Sequence, residues 1–418
     1  MRTVIAVLLT VLMAALPLAQ PLQDQLAREP DLRQIVHAIE RNEWGLRDHP
    51  QLLANFKRLA AKDIRVASKP MPYWRYFGIA ASLIASVHNP HTVIWPDMQE
   101  SDYLPVTFYW ASDGLVTVPI AGSPRGVALG DRVLAMGGKT PATLARDLAQ
   151  YVPGSSYNVR YTACRFLLLS ARYSLEWLGV VNRQNRVPIT LEDAHGHVEH
   201  VSLPFVDWGT YGVRVQRASI KFVDEFIAPT GVTVTGAPFG WKVISGHYGV
   251  FWLRNFDKSS ALNKNIAGFF NAVAQQHAPN IVIDVQGDPG GYGSIVEEFI
   301  QTLQKPQYRS RRVYVLTNWG SFSASVLLAE LLVLLDNATV VGQPTGEDLE
   351  VNGEKNFQTS DGTILYQIAI TRPTDALGYE AQALRPSIPV PLTVEDVHGG
   401  VNPISNWLAT LGPGMSKH

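Results

Sequence analysis

The stretch from Val313 to Leu335 sets the tightest limit on what this chain can fold into. It opens Val-Tyr-Val-Leu-Thr-Asn, continues Trp-Gly-Ser-Phe-Ser-Ala-Ser, and closes Val-Leu-Leu-Ala-Glu-Leu-Leu-Val-Leu-Leu. The β-branched and aromatic opening reads as a buried strand. The closing run is apolar on nearly every face, which predicts a fully buried helix. The turn between them holds Ser321, Ser323 and Ser325. Unpaired amides and the macrodipole at a helix start favour negative charge there. A serine nucleophile, or the oxyanion it creates, is stabilised in such a place. The plainer reading is that these serines cap the helix.

The neighbouring segments repeat the strand–helix alternation. Tyr248–Leu253 reads as a strand, Leu262–Gln276 as an amphipathic helix and Ile281–Val285 as a buried strand. Gly287-Asp288-Pro289-Gly290-Gly291 is a tight glycine turn, followed by a helix over Ser294–Leu303 and, later, a strand over Thr339–Val341. Such units predict a layered α/β core.

The earlier half differs. Residues 22–90 carry helical spacing at Leu32, Ile35, Val36 and Ile39, and a helix is expected over Tyr73–Val87. Pro90 disfavours helix at Asn89, so the chain should turn at His88–Thr92 and enter a strand at Val93–Trp95. Strands at Val106–Trp110 and Leu115–Ile120 precede Leu129-Gly130-Asp131-Arg132-Val133-Leu134 and a helix over Pro141–Tyr151. That run with its helix resembles the second half of a PDZ domain, a module that binds extended peptides by strand addition. Residues 160–205 read as a less regular bridge with strands near Ile189 and Val201. Its His195, His197 and His200 could hold a metal, but the Ala-His-Gly-His turn reads as a surface hairpin tip.

Composition narrows the function classes. The 418 residues are 46% hydrophobic and 17% charged, with net charge −1, which is globular and gives no basic footprint for nucleic acid. One cysteine, Cys164, excludes an internal disulfide framework; its apolar setting predicts a buried, inert thiol. Arg2 followed by the apolar run Val4–Leu16 has the pattern of a secretory signal, so export is expected, with a short uncleaved anchor as the alternative.

Three segments resemble, in order, the tail-specific (C-terminal processing) and tricorn-type serine peptidases. They are Asp284-Val285-Gln286-Gly287-Asp288-Pro289-Gly290-Gly291, then Ser321-Phe322-Ser323-Ala324-Ser325, then Val340-Val341-Gly342-Gln343-Pro344-Thr345-Gly346. Pro389–Asp396 and Pro90-His91-Thr92 are looser matches at the flanks. The resemblance implies a crotonase-like α/β core (206–412) with a PDZ-like insert and bridge (105–205) and an N-terminal helical cap (21–104); the signal pattern occupies residues 1–20. It implies Ser323 as nucleophile, with oxyanion-hole amides from Ala324 and Gly290. The tail-specific branch places a lysine 25 residues past the serine, where this chain has Asp348; Lys355 is the nearest lysine downstream. The tricorn-type branch uses a histidine ahead of the PDZ-like part, matching His91, and a late glutamate, matching Glu380. His88 is a rival on the same turn.

These residue types suit acyl transfer. Serine needs a base to take its proton, histidine can take and return it, and a carboxylate fixes the imidazole tautomer. The expected function is therefore an exported serine endopeptidase acting on peptide or protein, without cofactor or metal. Asp348 and the divergent Ala383-Leu384 leave open a non-catalytic protein that binds peptides or apolar ligands on the same fold.

Overall fold

The computed structural model describes residues 27–96, 102–119, 125–229, 238–346, 353–371 and 383–412. The expected signal segment and Glu380 lie outside the described residues. Helices α1 (Glu29–Asn42), α2 (Trp44–Asp48), α3 (Pro50–Ala67) and α4 (Tyr73–Ala85) come first. Helix α1 buries Leu32, Ile35, Val36 and Ile39, the face marked by their spacing. Past α4, His88 takes φ 59° and the chain turns into β1 (Val93–Pro96).

An antiparallel meander follows. Strands β2 (Val106–Ala111), β3 (Gly114–Pro119), β4 (Arg132–Met136), β5 (Arg186–Glu192) and β6 (Val198–Pro204) pair in sequence order. Between β4 and β5 lie α5 (Pro141–Leu148), α6 (Ser156–Arg165) and α7 (Arg172–Trp177). Helices α6 and α7 correct the expectation of an irregular bridge from residue 160. In α6 the polar Asn158 and Thr162 are buried beside Val159 and Tyr161, which blurs the apolar periodicity that betrays a helix. Helix α8 (Trp208–Phe222) and a π-helical turn over Val223–Ile227 lead out of this half.

The second half is the layered α/β unit. It runs β7 (Phe239–Ile244), β8 (Tyr248–Leu253), α9 (Ser260–Gln275), β9 (Asn280–Asp284), α10 (Gly293–Leu303), β10 (Arg312–Thr317), α11 (Ala324–Asp336) and β11 (Thr339–Gly342). The hairpin β12 (Glu354–Gln358) and β13 (Ile364–Ala369) follows, then β14 (Ile388–Pro389), α12 (Val394–Gly399) and α13 (Pro403–Ala409). The main sheet has the order β14-β11-β10-β9-β8-β7 and is parallel except for β7. Every residue of β9 is buried, as a strand covered on both faces must be. The mixed α/β architecture expected from the repeated units is thus present. Helix α11 departs from expectation at its end: Leu334 and Leu335 are 44% and 52% exposed, because its buried residues stop at Leu332.

A third, three-stranded sheet joins the two halves. Strand β1 pairs antiparallel with β13, Val93 opposite Gln367, and β13 pairs with β12. Among the described residues no helix is long and apolar enough to cross a membrane.

Candidate active site

In parallel α/β sheets the loops beyond the carboxyl ends of the strands gather on one side, where ligands bind. Two such loops meet here, Gly287–Gly291 after β9 and Trp319–Ser323 after β10. They are stitched together by side chains predicted as possible caps. Ser321 Oγ donates to Val285 O at 2.8 Å and accepts from Asn318 N at 3.1 Å. Ser325 Oγ donates to Asp288 O at 3.0 Å, and Phe322 N donates to the same carbonyl at 3.0 Å. Asn318 Oδ1 accepts from the amides of Gly287 and Gly320, both at 2.9 Å. Gly346, from the third motif, donates its amide to Ser321 O at 3.0 Å.

Ser323 is different from its neighbours. It occupies the residue before α11 with φ 57° and ψ −123°, and its side chain makes no capping hydrogen bond. A non-glycine residue in that region costs about 1–3 kcal/mol and persists only where the surroundings over-determine it. The capping explanation therefore fails at Ser323. Ala324 begins the helix, so its N–H has no intrahelical acceptor.

Gly290 packs directly against this corner. It has φ +89°, and a methyl group there would stand 2.7 Å from Ala324 N, Phe322 O and Ser323 Cβ. The missing side chain leaves a notch bordered by the serine and the first helix amide. Gly290's own N–H donates to Asp288 Oδ1 at 2.8 Å. Asp288 is fully buried, and its Oδ2 has no hydrogen-bond partner among the described residues. Burial pushes its carboxyl up to about 7, against the Gly290 amide and the Arg254 guanidinium, which pull it down.

His91 reaches the same corner from the other half of the chain. The β1–β13 pairing carries its turn there, and Gln367 Nε2 donates to His91 O at 3.1 Å. The His91 ring is fully buried, 5.0 Å between centroids from Phe322, the residue before Ser323. Its turn is held from below. Asn89 Oδ1 accepts from His91 N at 2.9 Å, and Asn89 Nδ2 donates to the buried Glu43 Oε1 at 3.1 Å. Thr92 Oγ1 donates to Glu43 Oε2. His88, the rival, is exposed.

The carboxylate beside His91 among the described residues is Glu354, whose Oε1 is bonded to His91 Nδ1. Sequence reasoning missed it. Strand β12 is mostly exposed and polar and carries no buried periodicity to mark it. Lys355, the nearest lysine downstream of Asp348, points the other way, as the next residue on a strand must. Its Nζ lies 5.3 Å from the Phe357 ring centre, while Glu354 and Asn356 line the site cavity. That cavity holds about 680 Å³ and is lined by Ser323, Ala324, Gly290, Gly291 and Glu354, among others.

Elsewhere, the His195–His197 turn is exposed, and among the described residues no cluster of His, Cys, Asp and Glu could hold a metal ion. Cys164 Sγ donates to Phe108 O at 3.5 Å, and burial pushes its thiol up to about 12.

Residues 297–390, a span that includes Ser323 and Glu354, match the model of Peptidase family S41. The chain is a serine peptidase by class. Among curated proteins no sequence matches it significantly. The S41 segment sits in a fold seen in solved structures. Mature CPAF complexed with lactacystin aligns with TM-score 0.67 at 14% identity, over 93% of this chain and 97% of that one. Mature CPAF alone aligns with TM-score 0.64 at 14% identity, over 91% and 95%. The photosystem II D1 C-terminal processing protease is more distant, with TM-score 0.44 at 14% identity over 88% and 94%.

Proposed function

We propose that this serine peptidase is an exported endopeptidase that cleaves peptide bonds through an acyl-enzyme on Ser323, with His91 as general base. The reading is that of the tricorn-type branch, with a crotonase-like core and the β2–β6 meander as its PDZ-like insert. Its main support is the strained Ser323 at the head of α11, next to the Gly290 notch and the buried His91.

The chemistry follows from those positions. Ser323 Oγ attacks the scissile carbonyl carbon while His91 takes its proton. Nδ1 of His91 is occupied by Glu354, so Nε2 is the nitrogen for that transfer. The carbonyl oxygen gains negative charge and moves into the notch, where the Ala324 N–H donates to it. Gly290 N–H becomes a second donor when it leaves Asp288 Oδ1. The intermediate collapses, His91 returns the proton to the leaving amine, and the acyl group remains on Ser323. Water, deprotonated by His91, then releases the acid and restores the serine. The carboxylate that steadies the imidazolium is Glu354 in this arrangement; Glu380 is the candidate by motif.

A fluorophosphonate probe should label the protein, and Ser323→Ala should abolish labelling. Undiminished labelling of that variant would sink the proposal. A second reading, a peptide-binding protein without turnover, draws support from Gly290 N–H being held by Asp288 rather than turned to the notch. Peptide affinity with neither labelling nor hydrolysis would favour it.

A further inference from the structure

The walls of the Ser323 cavity differ in kind. Part of the lining is aromatic. Trp95 and Phe166 are stacked with centroids 5.9 Å apart and planes 3° apart, and Tyr161 stacks on Phe322 at 4.5 Å and 3°. Tyr161 is buried, whereas Trp95 and Phe166 are half-buried and still line the cavity with apolar surface. The polar lining, Glu354, Asn356 and Gln367, comes from β12 and β13, which continue the sheet that starts with Trp95's own strand, β1.

Arg165 closes the end of α6 between the two stacks. Its guanidinium lies 5.8 Å from the ring centres of both Tyr161 and Phe166. It is the cation among the described residues lining the cavity. The described anion there, Glu354, is bonded to His91. No acidic side chain among the described residues lies within salt-bridge distance of Arg165. A guanidinium lying against ring faces keeps its edge N–H groups for an incoming acceptor, and its planar fork matches a carboxylate.

We infer that the cleft selects peptides that set a bulky apolar side chain against Trp95 and Phe166 and a carboxylate against Arg165. This rests on the peptidase reading of the same site. The carboxylate can be an Asp or Glu side chain or the free end of a chain; both offer Arg165 the same two oxygens. The apolar contact supplies most of the affinity and the exposed charge pair supplies the selectivity, since exposed ion pairs are individually weak.

The test uses fluorescent peptides binding to the full chain carrying Ser323→Ala, which separates recognition from turnover. Three peptides share one aromatic residue: one with an internal Glu and amidated end, one with Gln and a free end, and one with Gln and an amidated end. Binding of an acid-bearing peptide should exceed that of the fully neutral one by about three- to tenfold at low salt, and less at high salt. Which acidic peptide gains identifies the source of the carboxylate. Adding Arg165→Gln should erase the gain and leave the neutral peptide unchanged, Arg165→Lys should keep part of it, and Trp95→Ala should weaken all three alike. Equal binding of the three peptides, a preference that survives Arg165→Gln, or no binding at all overturns the inference. Fluorophosphonate labelling of the wild-type chain reports separately on the peptidase reading. A peptide preference without labelling would cost that reading alone, and labelling without a preference would cost this inference alone.

Discussion

Gly290→Ala is the sharpest perturbation of this site, because two separable costs meet at one carbon. The first is backbone: φ is +89°, and an L side chain in such a conformation costs about 1–2 kcal/mol. The second is space. The new methyl would lie 2.7 Å from three atoms, of which Ala324 N and Phe322 O are backbone and cannot swing away. Forcing an extra carbon into a packed site costs about 1–3 kcal/mol. The expected loss of stability is therefore about 2–5 kcal/mol. Gly287→Ala isolates the first cost, since Gly287 has φ +68° and a methyl there meets nothing within 4 Å. It should lose only about 1–2 kcal/mol. Activity separates the two further. The Gly290 methyl fills the notch in front of the Ala324 amide, so labelling and hydrolysis should fall about 100- to 1000-fold, the usual loss for one oxyanion donor. Gly287→Ala should stay near wild type. Urea denaturation gives the stabilities, and the rate of fluorophosphonate labelling gives the activity. If both variants lose equal stability and Gly290→Ala labels at the wild-type rate, the oxyanion does not sit in this notch.

Other outcomes follow from the same geometry. Glu354→Gln should lower kcat by about 100-fold or more with little change in KM, and the parallel Glu380→Gln decides between the two carboxylates, since only the one that orients His91 should show that loss. Ser323→Gly should abolish labelling yet raise stability by about 1 kcal/mol, because glycine tolerates φ 57°; a destabilised variant would contradict the strain assigned to this residue. Asp288 has a folded-state carboxyl raised from 3.8 to about 7, so the native state holds the proton more tightly than the unfolded chain. Its stabilisation is full below pH ~4 and is lost as pH rises to about 7, with an upper bound of roughly 4 kcal/mol. Asp288→Asn should flatten that slope, read as urea midpoints between pH 5 and pH 8; an unchanged slope would show that another group carries it.

The local pattern of residues already contained most of the α/β half. Strands β8 to β11 and helices α9 to α11 appear where periodicity put them, because short-range spacing reports burial on one face or on both. The serine turn and the glycine turn were visible for the same reason: helix starts and tight turns demand particular residue types within a few positions. Glu354 was not legible. Its strand is an exposed edge whose alternation encodes no core, and its partner lies 263 residues away. Helix α6 hid because its buried face uses Asn158 and Thr162.

The sequence alone determined which segments become strand or helix and where a reactive serine could stand, since those depend on neighbours along the chain. Only the tertiary structure decided which carboxylate meets His91, that Gly290 leaves its notch against Ala324, and that Arg165 closes an aromatic wall. Those contacts depend on β1 pairing with β13 and on two loops meeting beyond the sheet. Such long-range packing is selected by the total burial of the fold rather than by any local run of residues.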